Sequence, residues 1–436
     1  MNAYAQGDGK TTAVRSDNAS SDATVFNTPK QETTSVRGSY LNKDISGSSL
    51  NVDLYYGDTA VGYPRYPGYQ QSQIESEKVG LRTTIQTPID PVWNNGSVSW
   101  GIDYLDGETL SKYYQESGLV PPQSPTLKQD SVAVFGQAEL PLGDSAILRG
   151  GARYEDIDVE TTTVENNRYG KRINGGSLGY EEFLVNLGAV YFVTDSMDIF
   201  ANFSQGFSVG DLGRQIRGAN PSSDRIGVSA FKNDAEETNQ YETGLRYNDR
   251  DLSWSASAFY VDYKNGRTYN ADLQIQLSDQ EIWGVEGSVD YQVIDATQVG
   301  GTLTWSEGLK DTPDGGRERL PGTRISPLKL TGYLENQTTS SWSNRIQLTH
   351  IGSRDHFPAN SDGFGEGEVD RYTVIDYVGS VQAGPGQVDL AVNNLLNKDY
   401  YPALSQAYYS FDSAYSATSR IKGQGRTISL GYSLDW

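Results

Sequence analysis

The sequence predicts an all-β chain: a transmembrane, antiparallel, up-and-down β-barrel of which about seventeen strands are present. Three observations predict it. Segments of about ten residues alternate apolar and polar at period two. Their connections alternate between tight turns and long loops, so that one end carries only turns and the other only loops. Finally, only 36% of the 436 residues are hydrophobic, yet the alternation is clean. That combination fits strands whose apolar side faces lipid while Ser, Thr, Gln, Glu and Arg line a wet interior.

In chain order the expected strands are 30–42, 48–58, 75–88, 98–109, 129–141, 146–161, 181–194, 197–207, 238–248, 252–264, 281–294, 297–307, 327–338, 342–353, 371–383, 387–397 and 426–436. The last is the clearest: Ile428, Leu430, Tyr432, Leu434 and Trp436 share one face, and Thr427, Ser429, Gly431, Ser433 and Asp435 the other. Val285, Gly287, Val289, Tyr291 and Val293 oppose Glu286, Ser288, Asp290 and Gln292. Around Ile375 the alternation is poor and the register stays open. Tight junctions read PLGD (141–144), TDSM (194–197), NDRD (248–251), IDAT (294–297) and AGPG (383–386), rich in turn residues. Long ones cover 206–237, 306–326, 352–370 and 397–425. Trp100, Tyr191, Trp254, Tyr260, Trp305, Trp342 and Tyr377 sit near strand ends, as interfacial girdles require. A soluble sandwich or propeller also alternates, but no propeller-like repeat recurs and the loop asymmetry would go unexplained.

Composition excludes several functions. There is no Cys, which removes disulfide scaffolds, thiolate metal sites and Cys nucleophiles, and two His cannot build a three-His metal centre. A net charge of −21 argues against a nucleic-acid binder. No apolar run is long enough for a transmembrane helix, and NAYAQGDGK after Met1 contains no apolar core of a signal peptide. Neither a P-loop nor a G-x-S-x-G pattern occurs.

Several segments carry a resemblance. They are DIFANFSQGFSVGDLGR (198–214), TNQYETGLRY (238–247), LSWSASAFYVDYKNG (252–266), EIWGVEGSVDYQV (281–293), VDLAVNNLLNKDYYP (388–402) and the closing GRTISLGYSLDW (425–436). Together they resemble the barrel of TonB-dependent outer-membrane siderophore receptors. With LPGTRISPLKLTGYLE (320–335) and IGSRDHF (351–357) the chain is most similar to the ferric aerobactin receptor group. The terminal strand, ending in an aromatic, resembles the signal read by the barrel assembly machinery.

The resemblance implies a 22-stranded barrel around an N-terminal plug. Residues 1–436 are then expected to be a partial barrel, with the plug and the first strands absent, and 1–28 an external loop with the tail of a preceding strand. It implies a receptor in the bacterial outer membrane that imports a ferric siderophore, of citrate-based hydroxamate or carboxylate type. TonB-ExbB-ExbD would supply energy through the plug. The chain is expected to be a monomer in outer-membrane lipid, to bind no nucleic acid, to be no enzyme and to need no cofactor, iron arriving already chelated. A passive porin-like channel is the alternative; a barrel enzyme would need a Ser–His pair, which neither histidine offers.

Ferric siderophores are usually anionic, so loop arginines and tyrosines are the candidate ligand-binding residues. These are Tyr63, Arg65 and Tyr66 in GYPRYPGY, Arg214 and Arg217 after the strand ending at Phe207, Arg324, Arg354 and Tyr408, with Tyr400, Tyr401 and Tyr409 nearby. For any one arginine, the competing reading is an ion pair with a neighbouring carboxylate. His350 and His356 lack a metal-ligand pattern, and the acidic loop DGFGEGEVD (362–370) lacks the spacing of a calcium loop.

Overall fold

A computed structural model describes residues 2–6, 10–11, 26–27, 30–64, 71–90, 92–115, 117–120, 122, 124–166, 170–219, 223–231, 235–269, 275–357, 365–407 and 422–434. Each of the seventeen expected segments contains a strand; the sixteenth ends at Asn393, and Asp435 and Trp436 of the last lie outside the described residues. The first six are β1 (Lys30–Ile45), β2 (Ser48–Pro64), β3 (Gln71–Pro88), β4 (Ser97–Gln115), β5 (Leu127–Leu142) and β6 (Ala146–Thr161). Next come β7 (Gly176–Thr194), β8 (Met197–Ser208), β9 (Glu236–Asn248), β10 (Leu252–Tyr269), β11 (Ile275–Ile294) and β12 (Thr297–Asp311). The last five are β13 (Lys329–Thr339), β14 (Trp342–Ile351), β15 (Tyr372–Ala383), β16 (Gly386–Asn393) and β17 (Thr427–Leu434).

All pair antiparallel with their sequence neighbours, giving one continuous meander. The backbone of Asn2–Gln6 adds a short strand antiparallel to β1, from Asn2↔Ser35 to Gln6↔Gln31. No helix among the described residues is long and apolar enough to cross a membrane.

Tight turns fall at one end. Between β1 and β2, Ser46 (φ 55°) and Gly47 (φ 85°) form a two-residue turn of the kind that matches strand twist, and the Gly47 N–H donates to Asp44 Oδ1 at 3.0 Å. Strands extend toward the loop end well past the nine to eleven residues that a bilayer requires: β10 has 18 and β11 has 20.

The two faces differ as the alternation requires. Val285, Leu303 and Leu430 are 42%, 38% and 76% exposed, so no second layer covers the apolar face at these positions. Ladder partners keep that face continuous, as in Leu390↔Leu430 and Leu303↔Gly287. The open register at Ile375 resolves: Ile375 pairs with Leu348 on the apolar face, and Asp376 on the other accepts the Asn394 N–H at 2.7 Å.

On the polar face, charges neutralise across strands. Arg82 makes two bonds to Asp103 at 2.7 and 2.8 Å, and Arg153 bridges Asp103 (2.7 Å) to Glu155 (2.8 Å). The same face carries aromatic rings laid over glycines directly opposite: Phe200 over Gly244, Phe135 over Gly101, Phe259 over Gly284 and Tyr333 over Gly300. A Cβ on Gly244 would stand 2.6 Å from the Phe200 ring, so the ring lies flat only because that position has no side chain.

Candidate functional site

The long-loop end holds the apolar core and the loop contacts that position the candidate residues. One cluster packs Val159, Ile173, Leu178, Leu212, Ile216 and Val228 where β6, β7 and two loops meet. Its loops add short strands: Val164–Asn166 pairs antiparallel with Lys171–Asn174, which pairs parallel with Arg225–Gly227. Helix α1 (Leu212–Gly218) is capped by the Asp211 side chain, which accepts the Arg214 N–H at 2.9 Å. Leu212 and Ile216, one turn apart, anchor α1 to the core. Arg214 and Arg217 lie on its other side, half-buried. At the edge of this cap the Lys171 ammonium holds the Asp224 carboxyl below its ordinary value, at 2.9 Å.

A second cluster roofs the ends of β10–β13. The apolar run of β12 ends at Trp305, and beyond it Glu307 is buried under loops. Glu307 accepts from Arg354 Nη2 at 3.0 Å and from its neighbour's Gly308 N–H at 3.0 Å, and also pairs with Arg319 and with His356 Nε2 (3.2 Å). Burial pushes its carboxyl up, but the Gly308 N–H, the Arg354 bond and the Arg354 and Arg319 charges outweigh burial and hold it below the ordinary value. Arg354, 4% exposed, also donates to Leu320 O at 2.6 Å, and its backbone bridges to Val369 by two bonds of 2.9 Å.

Backbone contacts then tie three loops together. Gly322 N donates to Gly365 O (2.7 Å), Gly367 N donates to Ala407 O (2.9 Å), and Asp370 N donates to Gln406 Oε1 (2.8 Å). Ala407 ends α2 (Ala403–Ala407) in the last of these loops.

Arg324 behaves differently from Arg354. It is exposed, forms no ion pair among the described residues, donates Nη2 to Gln280 Oε1 at 3.2 Å, and rests 5.2 Å from the Tyr263 ring centre. The nearest acidic positions on β11 are taken: Asp279 by Lys264 (2.7 Å) and Glu281 by Arg317 (2.9 Å).

The structure thus separates the sequence candidates. Arg324 and Arg354 share one cluster, with Arg354 engaged by a buried carboxylate, and Arg214 and Arg217 share the other. Tyr63 has its backbone in β2, paired with Ser72, while Arg65, Tyr66, Tyr408 and Tyr409 lie outside the described residues. Tyr400 stacks on Tyr372 at 4.6 Å. His350 Nδ1 bonds Thr373 Oγ1 at 2.8 Å, and no group of three or more metal-binding side chains occurs among the described residues. Of the acidic loop, 362–364 lie outside the described residues. Sequence reasoning missed Glu307, Gln280, Ser278 and Thr268. The signal for the last three was Asn265-Gly266 inside an alternating run, which marks a bulge.

The sequence profile of the family described as TonB dependent receptor-like, beta-barrel matches residues 2–395. The ferric aerobactin receptor of Klebsiella pneumoniae is 26% identical over 451 aligned residues, covering 91% of this chain and 59% of that protein. The rhizobactin receptor of Rhizobium meliloti (strain 1021) is 23% identical, covering 92% and 59%. The chain therefore spans 59% of the length of these curated relatives. Among solved structures, the copper transporter OprC superposes with a TM-score of 0.76 at 17% identity, covering 92% of this chain and 65% of the other, which shows the shared fold.

Proposed function

The chain belongs to the TonB dependent receptor-like β-barrel family, whose members are bacterial outer-membrane proteins, and from that premise we propose that it imports a ferric siderophore. The observation that carries this reading is the match to ferric aerobactin and rhizobactin receptors along nine-tenths of the chain. In this reading the apolar face meets acyl chains, the charge-paired face lines the lumen, and the long loops form the extracellular mouth.

The finer assignment is a citrate-based hydroxamate or carboxylate siderophore. Arg214, Arg217 and Arg324 offer cationic surface at the mouth, together with Tyr63 at the end of β2 and the positions Arg65, Tyr66 and Tyr408. Arg354 holds the rim loops in place through Glu307 and acts by positioning them. The seventeen strands form part of a closed 22-stranded wall around a plug, on which TonB-ExbB-ExbD acts. The barrel assembly machinery inserts the chain as a monomer, and its role is transport rather than catalysis.

Uptake of radioactive ferric aerobactin by iron-starved cells expressing the gene tests the reading. Uptake that requires both this gene and TonB supports it. Growth-independent ion conductance with no TonB requirement would instead mark a passive channel.

A further inference from the structure

We propose that the lumen-facing rim between β10, β11 and the 312–328 loop is a carboxylate-binding subsite built from Arg324, Gln280, Ser278 and Thr268 against the Tyr263 ring. The proposal deepens the siderophore reading and rests on it, because it names the ligand group that this part of the mouth takes.

The local fold builds the subsite. The β10–β11 register shifts between Tyr263 and Gly266, with Asn265 at φ 55°. This bulge sets Gly266 opposite Ser278, two residues along β11 from the Tyr263↔Gln280 pair. The Gln280 amide then lies against Gly266, where a Cβ would stand 2.6 Å from its Cδ. Gln280 is 1% and Thr268 2% exposed.

The polar atoms gathered there are unusual. Among the described residues, Thr268 Oγ1, Ser278 Oγ and Gln280 Nε2 are buried without a hydrogen-bond partner. Folded proteins pair nearly all such atoms, so three on two adjacent strands point to a partner outside the fold. Gln280 Oε1 is already engaged by Arg324, which leaves the amide N–H as a donor.

Charge selects the partner. The Arg324 guanidinium has no carboxylate partner among the described residues, Lys310 is paired with Glu318 at 2.8 Å, and Asp279 and Glu281 are neutralised by Lys264 and Arg317. A carboxylate accepts up to four hydrogen bonds and matches the planar guanidinium fork. Arg324, exposed above the three buried atoms, meets the ligand first. Drawn off Gln280 by the incoming carboxylate, it opens the amide and hydroxyl donors beneath.

Calorimetric titration of citrate into the complete receptor, closed wall and plug together, in lipid nanodiscs tests this. Arg324→Gln should weaken citrate binding about tenfold, the loss of one charge-assisted contact. Thr268→Val should weaken it about threefold while leaving the melting temperature equal or higher, because it removes an unpaired buried hydroxyl. Gln280→Leu should also weaken it about threefold with the melting temperature unchanged, because it removes the unpaired amide N–H along with one bond from the exposed Arg324. Lys171→Gln, in the other cluster, should change nothing. Variants that bind citrate like the parent overturn the subsite and leave the siderophore reading intact. Variants that lose stability together with binding also overturn it, since the residues would then serve the fold. A parent that ignores citrate but binds a ferric trihydroxamate overturns the subsite alone. A parent that binds neither overturns the siderophore reading as well.

Discussion

Arg354 places Nη2 3.0 Å from Oε1 of Glu307, joining the 352–371 loop to the end of β12 through two buried and opposite charges. Such a pair contributes more when one partner is removed than when both are, since the survivor remains buried without compensation. Arg354→Leu should cost about 3–5 kcal/mol in local stability. Hydrogen exchange of residues 319–325 and 352–357 should accelerate together; unchanged protection in both would contradict the latch.

The pH dependence of that latch follows from the lowered Glu307 value. A carboxyl held low contributes fully above its unfolded value and loses the contribution as pH falls through the lower folded value. Protection of 352–357, corrected for intrinsic exchange, should therefore stay level from neutral pH down to the ordinary glutamate value of 4.5 and decline only below it. A decline that is complete while the pH is still above that value would assign the latch to another group.

Phe200 needs the flat surface of Gly244. Gly244→Val forces the ring off its partner strand, and a Cβ there also meets Ala256 O at 2.6 Å. Overpacking of this kind costs about 1–3 kcal/mol. The variant should lower the unfolding midpoint in urea, and Gly287→Val, whose Cβ meets only Ser255 O at 3.5 Å, should not.

The strands were legible because a period-two pattern is local. Val285 and Leu303 share a face in the sequence and share it in the structure, and the Pro, Gly, Asp and Asn of the tight junctions stand where the chain reverses. The loop clusters were not legible, because their contacts join distant segments. Nothing near Arg354 in sequence announces Glu307, 47 residues away. Likewise, Arg324 and Arg354 look alike as loop arginines, and only the fold shows one against a buried carboxylate and the other against an amide and a ring. Gln280 reads as an ordinary polar strand position until the bulge at Asn265 brings Gly266 beneath it.

The two-faced wall can be measured most directly with spin labels, because the natural chain has no Cys and accepts single cysteines without background. Labels at Val285, Leu303 and Leu430 in a bilayer should collide readily with oxygen and poorly with a water-soluble nickel chelate. Labels at Glu286, Thr302 and Ser429, one residue away, should show the reverse. If both sets are shielded from both reagents, the apolar residues are packed between protein layers, and the membrane-spanning wall is contradicted.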